Sequence, residues 1–143
     1  MCVKIGAQLT QSEELLLRHV RPVWLDDEGH PSSQAFWPFR DIDECCLSTD
    51  RAALTTPQAS HQLFTSPQPA GCGETSAGVW ALAVSEVQAV GLTAWEDPAP
   101  AWDARPANPF HAVIEFGESN QSQQKKLGKR LKIFACARGK LYP

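Results

Sequence analysis

The side chains in this sequence best suited to move a proton near neutral pH are its histidines, His19, His30, His61 and His111. His30 stands just before the pair Ser32 and Ser33, and His111 lies in Asn108-Pro109-Phe110-His111-Ala112. A serine hydroxyl, an imidazole to take its proton and a carboxylate such as Asp50 to orient the ring would make a nucleophile. Ser32, Ser33, Asp50 and His111 are therefore the candidate pocket residues. A structural reading competes and is favoured. Ser32 follows a proline in a loop, where serine hydroxyls satisfy backbone groups, and no Gly-x-Ser-x-Gly elbow is present. No residue is assigned as catalytic.

Metal chemistry has weaker support. The acidic runs Asp26-Asp27-Glu28, Asp41-x-Asp43-Glu44 and Glu96-Asp97 could place carboxylates on one strand face, but none matches a calcium loop. Cys2, Cys45, Cys46, Cys72 and Cys136 form no Cys-x-x-Cys pair and no even disulfide framework, and free thiols are expected. Neither a metal nor a cofactor is expected. Of the five tryptophans, Trp24 and Trp80 read as core. Trp102 sits in the loop Pro98-Ala99-Pro100-Ala101-Trp102-Asp103, where it either anchors an interface or pins its own loop.

Charge is divided along the chain. Residues 1–118 hold 16 acidic and 6 basic residues, whereas residues 119–143 hold 7 basic and no acidic residues. Lys125, Lys126, Lys129 and Arg130 are the candidate binding residues of this basic end. It could lie on the acidic body of its own chain, dock on an acidic protein, or bind nucleic acid, in that order of preference. An acidic body repels a long polyanion, and no aromatic platform separates these cations before Phe134.

The elements that must position these groups follow from local pattern. The 143 residues fit one domain, 1–143, with 119–143 a basic C-terminal helix and tail. No run is apolar enough for a membrane span and no signal peptide is evident, so a cytoplasmic protein is expected. Val3 to Leu9, Cys45 to Thr49, Gly78 to Val84, Leu92 to Trp95 and His111 to Phe116 read as strands. Ser12 to His19 reads as a helix from its Ser12 cap and first-turn acids, although Leu15-Leu16-Leu17 also fits extended chain. Arg21 to Leu25 reads as extended because of Pro22. Thr56-Pro57 begins a helix to about Phe64, Glu86 to Val90 a short one, and Ser119 to Arg138 the longest. On the last, Leu127, Leu131 and Phe134 share a stripe with Ile133 near its edge. The order predicts an α+β fold with a largely antiparallel sheet, short helices and the basic C-terminal helix. A parallel βαβ arrangement lacks a Gly-rich phosphate loop to support it.

Within residues 15–117, His30-Pro31-Ser32-Ser33-Gln34-Ala35-Phe36, Leu47-Ser48, Asp97-Pro98 and Asn108-Pro109-Phe110-His111-Ala112 form a spaced set of motifs. The set resembles a loosely defined group of uncharacterised small bacterial proteins with Pro-Ser-Ser-x-x-Phe and Asn-Pro-x-His-Ala motifs. That group carries arginine where His30 stands. The resemblance implies a bacterial source and a role beside larger partners in mobile or defence gene clusters, and it implies no known reaction. The sequence is thus read as a non-enzymatic accessory or interaction subunit of a larger bacterial assembly with a protein partner. The alternatives are a small enzyme acting on a nucleotide or nucleic acid, and a nucleic-acid-binding module using the basic tail.

Overall fold

A computed structural model describes residues 6–38 and 45–143 of the chain. Its centre is a five-stranded antiparallel sheet in the order β3-β1-β2-β5-β4. The strands are β1 (Leu15–Val20), β2 (Cys46–Arg51), β3 (Gly78–Ala83), β4 (Thr93–Glu96) and β5 (His111–Glu115). Three helices, α1 (Pro57–Thr65), α2 (Val84–Ala89) and α3 (Gln121–Arg138), and two short 3-10 turns, Pro22–Trp24 and Ser33–Phe36, complete the fold. The α+β class and the antiparallel sheet are as the sequence predicts. Among the described residues no helix is long and apolar enough to cross a membrane.

The expected helix over Ser12–His19 is instead β1. Side chains on a strand alternate between faces, so Leu16, Arg18 and Val20 point one way and Leu17 and His19 the other. Both faces are covered, and Leu16, Leu17 and Val20 are fully buried. A run of three leucines suits such a central strand, and full-length pairing with β3, from Leu15↔Ala83 to Val20↔Gly78, overrides the local cap signal. The expected extended stretch Arg21–Leu25 contains the Pro22–Trp24 turn, with proline at its first position. The expected strand at Val3–Leu9 lies partly outside the described residues. Within the described part, Gln8 forms only an isolated bridge with Trp95.

One sheet face carries the main core, where Leu16, Val20, Leu47, Trp80, Leu82, Ala112 and Ile114 meet the 3-10 turn at Phe36 and helix α3. Helix α3 is therefore docked, not free. Its buried stripe is Gln124, Gly128, Leu131 and Ala135. Leu127 and Phe134 flank this stripe half-buried, and Ile133 is 68% exposed. The stripe is centred on Gly128 because a glycine lets the helix approach Trp37 closely. A Cβ there would stand 2.7 Å from Trp37 Cδ1 and 3.1 Å from the Ser33 carbonyl oxygen. Asn120 and Gln123 cap the helix reciprocally, and Arg138 near its end donates to both carboxylate oxygens of Glu86 at 2.9 Å. On the opposite face α1 packs over β1 and β3, capped by Thr56, which accepts from the Ala59 N–H.

Terminal segments line both outer strands. Leu141 and Tyr142 exchange backbone hydrogen bonds with Val79 of β3, at 2.8 and 2.6 Å. Residues 6–9 bond to Ala94 and Glu96 of β4.

Replacing Gly128 with alanine is expected to destabilise the protein by about 1–3 kcal/mol, despite alanine's better helix propensity, because the methyl group overpacks against Trp37. Urea unfolding of the two proteins compares them directly.

Candidate functional site

Strands β1 and β2 are paired only at Leu16↔Arg51 and Leu17↔Asp50. Beyond that point they diverge, while β1 keeps its pairing with β3 and β2 its pairing with β5. The wedge between them needs another partner for backbone groups that the ladder no longer satisfies. Arg18 supplies it: Nη1 donates to the Ser48 carbonyl at 3.0 Å, and Nε donates to the Ala35 carbonyl at 2.7 Å. Its guanidinium also stands over the Trp24 ring, 5.2 Å from the centroid.

This wedge opens into a cavity of about 490 Å³. Arg18, His19, Ser48, Thr49 and Asp50 form its floor, Trp24 and Trp37 one wall, and Phe64 and Cys72 another. The loop between β4 and β5 adds Trp102, Arg105, Asn108 and His111. The size and the mixture of aromatic and convergent polar groups match a small-molecule site.

Asp50 organises the floor. Ser60 Oγ donates to Oδ2 at 2.6 Å, and Asn108 Nδ2 donates to Oδ1 at 2.9 Å. His19 Nε2 lies 3.6 Å from Oδ2 and 3.0 Å from Ser60 Oγ. The Ser60 hydroxyl has one hydrogen, and the shorter contact gives it to Asp50, so His19 Nε2–H donates to Ser60. Burial alone pushes the Asp50 carboxyl up, but the neighbouring His19 ring and the hydrogen bonds from Ser60 and Asn108 outweigh it and hold the group below the usual carboxylate range. His19 also stacks on Phe64 with ring centroids 4.2 Å apart, and its Nδ1 is buried without a hydrogen-bond partner among the described residues. His61, 6.4 Å from His19, is held below the ordinary histidine range by burial and by that neighbour.

His111 is the register partner of Asp50 across β2 and β5, yet it does not bond to Asp50. Its Nδ1 lies 3.0 Å from both the Asp97 carboxylate and the Asp97 carbonyl. Both can only accept, so Nδ1 carries a hydrogen, and in the neutral ring Nε2 is the acceptor. A carboxylate that orients an imidazole in this way is the arrangement of a general base. At the mouth, Glu74 joins two arginines: Arg21 Nη2 donates to Oε2 at 3.1 Å and Arg105 Nη2 to Oε1 at 2.6 Å.

The structure therefore brings together Asp50 and His111 of the sequence candidates. Ser32 and Ser33 are not among the lining residues; Ser32 N–H bonds to the Trp24 carbonyl, and the Ser33 carbonyl lies against α3 at Gly128. Trp102 lines the mouth and is 72% exposed. Lys125, Lys126, Lys129 and Arg130 lie on the exposed side of α3, outside the cavity. Lys125 stands 5.8 Å over the Trp37 ring, and the other three make no ion pair among the described residues. Of the acidic runs, Asp26 accepts from the N–H groups of Glu28 and His30 in a turn, and Glu96 pairs with Arg51. The run at 41–44 lies outside the described residues. No group of three or more His, Cys, Asp or Glu among the described residues is arranged to hold a metal ion. Cys45, Cys72 and Cys136 are free, as expected, whereas Cys46 is disulfide-bonded. Burial raises the Cys72 thiol above its ordinary range, which makes it a poor nucleophile.

Sequence reasoning missed His19, Ser60, Arg18 and Asn108. The one signal available for Asn108 was its place in the same motif as His111. No family model, curated protein or solved structure matches this chain.

Asp50→Asn is expected to lower stability by about 2–3 kcal/mol, because it removes a buried charge that accepts from Ser60 and Asn108. The depressed native pKa makes Asp50 stabilising above its unfolded value of about 3.9, a contribution lost as pH falls through the native value. His61 acts in the same sense from about pH 6.5 downward, since its protonated form is disfavoured in the fold. Unfolding free energies measured from pH 7 to pH 3 should fall for the wild type, first through His61 and then through Asp50. Asp50→Asn should flatten only the lower part of that decline.

Proposed function

We propose that this protein is a non-enzymatic accessory protein that binds a small ligand in the cavity between β1 and β2. The cavity itself carries the reading: its polar groups converge on a space of small-molecule size, while its exposed hydroxyl, on Ser48, is hydrogen-bonded to no base among the described residues, and the serine buried behind it and the cavity thiol are poorly placed to attack. Ser60 is fully buried and gives its hydrogen to Asp50. The Cys72 thiol is held in its protonated form. What remains accessible recognises more readily than it reacts. The exposed Trp102 and the cations of α3 offer surfaces for a larger partner, in keeping with the accessory role implied by the resemblance to small bacterial proteins.

One observation favours a second reading. The Asp97–His111 pair could activate a water molecule on a ligand in the cavity, which would make the protein a small hydrolase of a nucleotide or nucleic acid. Incubation with mixed nucleotides and short oligonucleotides, followed by chromatography, separates the two. The expected result is retention of a ligand without conversion. Turnover that His111→Ala abolishes, with the variant folded, would establish the hydrolase instead. Low-salt affinity capture with the tagged protein is expected to retain a protein partner in stoichiometric amount. Recovery of nucleic acid that 0.5 M salt and replacement of Lys126, Lys129 and Arg130 both remove would assign the basic face to phosphate binding, since such contacts weaken steeply at roughly that salt.

A further inference from the structure

Residues 1–118 carry six basic residues against 16 acidic ones. Three of the six, Arg18, Arg21 and Arg105, line this cavity. Arg51 is held by Glu14 and Glu96 and does not line the cavity, and Lys4 and Arg40 lie outside the described residues. Three of the four cations described in this acidic body thus line the cavity, against the two carboxylates Asp50 and Glu74, which favours an anion there. Arg21 follows β1 and Arg105 belongs to the loop before β5, yet both donate to one carboxylate, Glu74. A carboxylate or phosphate on a ligand would be gripped by the same two donors.

The surroundings of Glu74 suit its displacement. Its backbone is fixed, with its N–H donating to the Phe64 carbonyl at 3.0 Å and the Cys72 N–H to the Leu63 carbonyl at 2.8 Å. Release therefore needs rotation of one partly exposed side chain and no loop movement. Arg21 would stay in place, because its guanidinium lies 5.7 Å over the Trp24 ring. Trp102, exposed at the mouth, supplies an aromatic surface on which a planar ring can stack, and Trp24, Trp37 and Phe64 add apolar lining.

Resting on the cavity reading above, we propose that Glu74 stands in for the anionic group of the ligand. The ligand is a small planar ring compound bearing a carboxylate or a phosphate, which takes the place of the Glu74 side chain between Arg21 and Arg105.

Isothermal titration of the full chain with two matched pairs tests this: adenosine monophosphate with adenosine, and indole-3-acetate with indole-3-acetamide. Wild type, Glu74→Gln and Arg105→Gln are compared. In at least one pair the anion should bind roughly tenfold tighter to Glu74→Gln and more weakly to Arg105→Gln than to wild type, with its neutral counterpart unchanged. The responding pair tells phosphate from carboxylate. If Glu74→Gln gains nothing for either anion, or gains equally for the neutral compound, the stand-in is overturned while the cavity reading survives on whatever binds. If no probe binds wild type or Glu74→Gln, both fall.

Discussion

A buried carboxylate is costly unless partners surround it, and Asp50 draws them from three separate parts of the chain: Ser60 and Asn108 donate to it, and His19 donates to Ser60 and stands 3.6 Å from the carboxylate. His19 comes from β1, Ser60 from α1 and Asn108 from the loop ahead of β5. Each of these segments must be in place for the charge to be tolerated, so the charge fixes their mutual positions. The cavity is the space they enclose. Its floor, its α1 wall and its loop wall are therefore set by one electrostatic demand, not by shape complementarity alone.

The sheet can open beside this carboxylate because its stability is secured on the other face. There Phe36, Leu16, Leu82, Ile114 and Leu131 are fully buried beneath α3 and the 3-10 turn. That face supplies the hydrophobic driving force. The face with Asp50 carries mainly polar contacts, with Leu17, Val79 and Ala81 as a small apolar patch at one end. Separating the two tasks lets β1 and β2 diverge without dividing the core. Arg18 makes the divergence tolerable, because from β1 it serves a carbonyl of β2 and a carbonyl of the 3-10 turn Ser33–Phe36.

Much of the framework was legible in the sequence because local chemistry and final structure agree. Thr56-Pro57 starts α1, the unbroken apolar run Gly78–Ala83 is the wholly buried β3, and the alternation from His111 is β5. At Ser12–Glu14 they disagree. The serine and acids look like a helix start, but Glu14 is drawn to Arg51 across the sheet, with Nε donating at 2.7 Å. For the site, Asp50 and His111 could be singled out by residue type, since ionisable groups on strands invite explanation. Ser60 and His19 could not, because their partnership spans 41 residues and exists only once α1 folds over β1. Arg18 acquires its place from the divergence of two strands, a feature that periodicity does not encode.

The strips of chain along β3 and β4 bear on how this protein behaves in concentrated solution. An open sheet offers two rows of unsatisfied amide and carbonyl groups, which can recruit strands from other molecules. Here Leu141 and Tyr142 occupy one row and residues 6–9 the other. Edge-to-edge pairing is thus opposed by two short segments near the ends of the described chain. Trimming either one, or burying it under a bulky fusion, would convert a contained sheet into a template for intermolecular assembly without touching the hydrophobic core.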